Sequence, residues 1–175
     1  MSFQSSVFIN QGFGVPGELF TDAPYIVQPY TIVSALASYN IIGATACTIT
    51  SQGVCQAGDG GTLGFAGILV DPKDIALFGA GGIPLNPTLT VPNQTQVECL
   101  TMGSIIVTLP AAANIGDYVI YDNTTGALAT ITPVTPLPSG KSFANALVSY
   151  FTQGIAGSAL AVITVNPTYI IPQPV

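Results

Sequence analysis

The chain has 175 residues, with eight acidic residues against two lysines (Lys73 and Lys141), no arginine and no histidine, for a formal net charge of −6. That balance argues against nucleic-acid binding, since neutralising phosphates takes a basic surface that two lysines cannot form. It also removes Ser-His and Cys-His nucleophile pairs and the commonest general base. Only 6% of residues are charged, against about 25% in an ordinary soluble domain, while 49% are hydrophobic and the mean hydropathy is +0.60. Such a surface is expected to be held in an assembly.

Taken in chain order, residues 1–30 read as an extended arm. Phe3, Phe8, Phe13, Leu19, Phe20 and Tyr25 are interspersed with Gly12, Gly14, Pro16, Gly17, Pro24 and Pro29, so no helix runs through and any strand is short. An arm with so many aromatics makes sense if it lies along another protein. Gly12 to Gly17 matches G-x-G-x-x-G literally, but no helix can follow to hold a pyrophosphate, and nucleotide binding is rejected. The first ten residues lack a basic n-region and a continuous apolar h-region, so no secretory signal is expected.

Residues 31–39 fit either a strand or a short helix. Residues 44–50 and 54–57 form a candidate hairpin, 58–61 a flexible link, and 65–70 a buried strand stopped by Asp71-Pro72-Lys73-Asp74. A short strand at 75–78 and a loose stretch at 79–92 follow. Residues 97–133 are the segment around which the rest is organised. Val97, Cys99, Ile105, Val107 and Leu109 fall on one side of a period-two ribbon ended by Pro110. After a small-residue loop, 118–121 resume the strand pattern, Asp122-Asn123-Thr124-Thr125-Gly126 supplies a hairpin turn, and a return strand runs through Thr132. Residues 142–151 are assigned to a strand that pairs, through 152–158, with 159–165. Residues 166–175 form a proline-rich tail. The fold class is all-β: a compact jelly-roll or small β-barrel/sandwich body at 31–165, with an extended amino-terminal arm (1–30) and a carboxy-terminal tail (166–175).

The longest uncharged apolar stretch, 155–165, is about half the roughly 20 residues of a spanning helix, and the absence of tryptophan argues against a membrane β-barrel with its aromatic girdles. Most acids sit beside Gly or Pro in apparent turns, where Asp serves the backbone rather than a reaction. Asn93-Gln94-Thr95 and Asn123-Thr124-Thr125 match the glycosylation sequon but read as turn chemistry. Cys47, Cys55 and Cys99 show no metal-ligand spacing. A hairpin turning at 51–53 would put Cys47 near Cys55 and permit one disulfide; the simpler reading is three small apolar residues in a reduced chain. No catalytic, cofactor or metal residue is assigned, and no enzyme activity is expected.

The chain resembles the cement, or decoration, proteins of tailed-bacteriophage capsids. The resemblance lies in Gly14-Val15-Pro16-Gly17-Glu18, in Gly64-Phe65-Ala66-Gly67-Ile68-Leu69-Val70-Asp71-Pro72-Lys73, and in the body at Leu100-Thr101-Met102-Gly103-Ser104-Ile105-Ile106-Val107, Ile115-Gly116-Asp117-Tyr118-Val119 and Thr125-Gly126-Ala127-Leu128. The sequence departs from that family in its hydrophobicity, its missing arginine and its proline-rich tail. The resemblance implies a structural virion protein, made in the host cytoplasm, that decorates and stabilises the outside of a capsid by bridging major capsid protein subunits. It further implies a homo-oligomer, a trimer favoured over a dimer, with no nucleic-acid or membrane partner. Within it, Phe3, Phe8, Phe13, Val15 and Pro16 are the expected capsid- or subunit-binding residues. The alternative of another class is a tail-fibre or surface adhesin module binding a host ligand.

Overall fold

The structure is a computed structural model, which describes residues 14–20, 24–50, 52–58, 64–71, 89–155 and 158–166, with 151–155 and 158 described by backbone alone. The described residues form an all-β fold of nine strands: β1 (Ile26–Thr31), β2 (Ala46–Ile49), β3 (Cys55–Ala57), β4 (Gly64–Leu69), β5 (Gln96–Leu109), β6 (Tyr118–Asp122), β7 (Leu128–Ile131), β8 (Lys141–Ile155) and β9 (Ser158–Val165). A single 3-10 turn at Ala37–Tyr39 settles the ambiguous 31–39 stretch as neither a long strand nor an α-helix. The expected strand at 75–78 and the tail from 167 onward lie outside the described residues.

The strands hydrogen-bond antiparallel in the order β3-β2-β4-β5-β9-β8-β6-β7, with β1 also pairing β5. β5 is the spine. Its first half takes β1 along Gln96 to Met102 and β4 at Cys99 and Leu100, while its second half takes β9 from Gly103 to Leu109. Two short bridges tie distant parts of the order together: Ile32 with Cys55, and Thr45 with Ala127.

The hydrophobic core divides in two. Ile105, Val107, Leu109, Val119, Tyr121 and Ile163 belong to the larger cluster; Ile32, Ile42, Leu69, Val91, Val97 and the three cysteines form the smaller. This corrects the expectation that Val97 and Cys99 share a face with Ile105, Val107 and Leu109. The first pair faces the smaller cluster and the last three face the larger. Strict alternation fails at Gly103, whose φ of +129° turns the ribbon over between the two halves. A Cβ there would also stand 2.8 Å from that of Tyr25.

The β6–β7 hairpin is built as its sequence promised. Asp122 Oδ1 accepts from the amides of Thr124 (2.9 Å) and Thr125 (3.0 Å), and Gly126, at φ +73°, closes the turn by donating to the Asp122 carbonyl. Lys141 Nζ donates to Asp122 Oδ2 at 2.9 Å. That ion-paired bond, aided by the turn amides, lowers the Asp122 carboxyl to about 2. A folded value below the unfolded one makes the carboxylate's contribution complete above pH ~4 and lost as pH falls through ~2. Both side chains are partly solvated, which screens the pair. Asp122→Asn should therefore cost about 1 kcal/mol at neutral pH and flatten the decline between pH 4 and 2. Thermal unfolding across that range checks it; parallel acid limbs for the two proteins would contradict it.

Candidate docking surface

The segment around Val15 is fixed by a tight turn. Val15-Pro16-Gly17-Glu18 carries Pro at the second position and Gly, at φ +91°, at the third, the signature of a type II turn. The Glu18 amide donates to the Val15 carbonyl at 3.0 Å, and Glu18 Oε2 accepts from the Val15 amide at 3.3 Å. From the turn the chain runs along the second half of β5. The Gly17 amide donates to the Ile106 carbonyl (2.8 Å), the Ile106 amide to the Glu18 carbonyl (2.9 Å), and the Phe20 amide to the Ser104 carbonyl (3.0 Å). The Asp71 amide, two residues past the end of β4, donates to the Gly17 carbonyl. The inner part of the segment read as an arm, residues 17–20 with β1, thus lies hydrogen-bonded on β5.

At Phe20 this segment meets Tyr150 of β8, and with Tyr25 and Ile26 these side chains make up the candidate ridge. The rings of Phe20 and Tyr150 are tilted against each other with centroids 5.4 Å apart. Tyr25 packs beside Gly103, next to Ile26 at the start of β1. Tyr150, Tyr25 and Ile26 are 49%, 52% and 48% exposed, and Val15, on the turn, is 52% exposed. Aromatic side chains left half in water are the composition of a protein-binding surface.

Of the residues singled out from the sequence, Val15 is exposed and Pro16 is partly buried. A Cβ on Gly43 would fall 2.8 Å from the Pro16 Cβ, so the turn sits directly on Gly43. Phe3, Phe8 and Phe13 lie outside the described residues. Tyr150 was missed by sequence reasoning. Ala144, Ala146 and Val148 are buried in alternation, and the register shift between Val148 and Thr152 brings Tyr150 out of phase to the surface.

Among the described residues three acids serve turns: besides Glu18 and Asp122, Asp117 Oδ2 accepts from the Asn114 amide at 2.8 Å, whereas Glu98 lies within β5. The side chain of Asn93, the first sequon asparagine, is held by Ser34 and Asn40. Cys47, Cys55 and Cys99 are all free and buried. Among the described residues no helix is long and apolar enough to cross a membrane.

Residues 3–166 match the family described as structural cement protein (E217 gp24/Pam3 gp6). The chain belongs to the phage structural cement protein family. Among solved structures it is similar to a chain in the capsid of Myoviridae phage XM1, at 19% sequence identity and a TM-score of 0.59, the match covering 97% of this chain and 100% of that one. That likeness establishes a shared fold. No curated protein matches the chain. A cement protein is a capsid-stabilising structural component of the phage virion and associates with capsid proteins. No finding favours the adhesin alternative.

Proposed function

We propose that this cement protein binds the outer face of the capsid and bridges neighbouring major capsid protein subunits as a homo-oligomer, in a purely structural role. The observation that carries this reading is the ridge of Phe20, Tyr150, Tyr25 and Ile26. It leaves half-exposed aromatics on a chain whose charge is too sparse to solvate a free surface. On a symmetric lattice, modest contacts from each copy add by avidity, so the ridge need not be large. The aromatic residues Phe3, Phe8 and Phe13 would extend the same contact along the shell, with Val15 and Pro16 at its anchored end. An acidic protein on the outer face is also kept from the packaged nucleic acid. The bridges Ile32–Cys55 and Thr45–Ala127 support a closed, barrel-like body rather than an open sheet as the rigid unit that presents the ridge.

Co-sedimentation with shells assembled from the major capsid protein tests the reading, with bound copies counted per coat subunit. Saturation at a fixed ratio supports it, and absence of binding to both expanded and unexpanded shells would overturn it. In the same assay Tyr25→Ser combined with Tyr150→Ser should weaken binding by about 30-fold or more, the loss expected from a buried aromatic hot spot. Its melting temperature should change little, because both rings are already half in solvent. Unchanged binding would remove the ridge from the interface.

A further inference from the structure

The three cysteines come from three different strands: Cys47 from β2, Cys55 from β3 and Cys99 from β5. Their Sγ atoms all lie within 4.8 Å of one another, and none of the three residues is exposed. The strand register explains the meeting. Cys47 lies opposite Ala57, and Ile49 opposite Cys55, so Cys47 and Cys55 are diagonal neighbours on one face of the β2–β3 hairpin. On the other side Cys47 pairs with Gly67 of β4, while Leu69 of β4 pairs with Cys99. Gly67 has no side chain to separate Cys47 from Cys99. A Cβ there would stand 3.1 Å from the Cys99 Cβ and 2.4 Å from the Leu100 carbonyl oxygen. The glycine leaves open the space across which the sulfurs face one another.

We propose that Cys47, Cys55 and Cys99 form a site for a single thiophilic divalent cation, zinc(II) or its analogue cadmium(II), held by three thiolates. The site is independent of the cementing reading.

The donor set decides the class of ion. Three sulfurs with no carboxylate or imidazole beside them select soft cations over magnesium or calcium. Around zinc, with Zn–S bonds of about 2.3 Å, three thiolates alone take a trigonal array with sulfurs roughly 4 Å apart. The three Sγ atoms already lie within 4.8 Å of one another, and the larger cadmium ion sets its sulfurs further apart than zinc does. The surrounding walls, Ile32, Ile42, Leu69, Val91 and Val97, are apolar. Such a shell excludes water and strengthens thiolate–cation attraction, while leaving a lone buried thiolate costly. Loading exchanges three S–H bonds for three metal–sulfur bonds and releases three protons to buffer, so binding strengthens as pH rises.

Because the sulfurs are buried, the ion is supplied as the chain folds. The full-length reduced protein, unfolded in denaturant, is diluted into buffer containing increasing cadmium chloride. The ultraviolet thiolate-to-cadmium absorption and the melting temperature are then recorded. The expected result is a sharp break at one cadmium per chain, a higher melting temperature in the loaded protein, and displacement of zinc by cadmium from zinc-loaded protein. Cys47→Ala, Cys55→Ala and Cys99→Ala should each abolish the break. Absence of the band at one equivalent in the unmodified chain overturns the proposal, whether or not the variants fold. So does a band that survives in the Cys47→Ala/Cys99→Ala double variant, or a titration without a break and without a thermal shift. Formation of a Cys47–Cys55 disulfide on mild oxidation, in a protein that takes up no cadmium, would overturn it as well.

Discussion

Removal of residues 1–13 is expected to abolish capsid binding, by 100-fold or more, while the remainder melts cooperatively as a β protein. Phe3, Phe8 and Phe13 are lost in that deletion. Each large aromatic that enters a pocket on a partner carries on the order of 2 kcal/mol or more, and three together exceed the whole margin of a modest lattice contact. The body should survive because its own hold on the segment begins later. The type II turn at Val15 to Glu18, its three bonds to Ser104 and Ile106, and the Asp71 bond to Gly17 all remain. Co-sedimentation with shells, read beside far-ultraviolet circular dichroism and thermal unfolding, checks both halves. Undiminished binding by the shortened protein would reject these phenylalanines as anchors, and a collapsed melt would show the deleted residues to be part of the fold.

Gly43→Val should be the most damaging single substitution at the seat of that turn. Gly43 has φ +66°, and a Cβ on it would stand 2.2 Å from the Gly17 nitrogen and 2.5 Å from the Pro16 carbonyl carbon. The backbone of the turn therefore rests directly on the backbone at Gly43. A valine side chain adds left-handed strain to a collision that only displacement of the turn can relieve. The expected loss is about 3 kcal/mol or more, equivalent to a melting temperature lower by about 6–12 °C. Shell binding should fall with it, because Val15 and Pro16 leave their place. Gly53→Ala separates strain from collision. Gly53 has φ +76° but nothing within 4 Å of its would-be Cβ, so strain alone, about 1–2 kcal/mol, applies. Equal melting temperatures for the two variants would mean that the turn yields freely.

The local pieces of this fold are written plainly in the chain. Residues 96–109, 118–122 and 141–165 are rich in Val, Ile, Thr and Tyr, and the turns between them carry Asp, Asn and Gly where the backbone needs acceptors or positive φ. The expected strand pairs β2–β3, β6–β7 and β8–β9 are all present. The long-range relations are not written in the same way. Alternation places Val97 and Ile105 on one face only if the strand is uninterrupted, and one glycine at 103 reverses it. Tyr150 has the phase of a core residue, and a register shift in the neighbouring ladder turns it outward. The cysteine triangle is invisible to spacing rules because Cys99 reaches Cys47 through two intervening strand pairings, not through a loop. Pro16-Gly17 did carry its turn type openly, but not the surface on which that turn lands.

The arrangement around the second half of β5 also constrains how the protein is made. One flank of that half is covered by residues 17–20, which precede it in the chain, and the other by β9, which follows it at a distance. On the ribosome, β5 therefore emerges before its β9 partner, and its apolar face waits for that strand. Such sequence-distant pairing is slow, and an unpaired strand edge is open to wrong partners. A chain cut short before residue 158 therefore lacks the strand that completes its own spine. Only copies that include β9 can pair both flanks of that half of β5, and fragments ending before it leave one edge of the spine open.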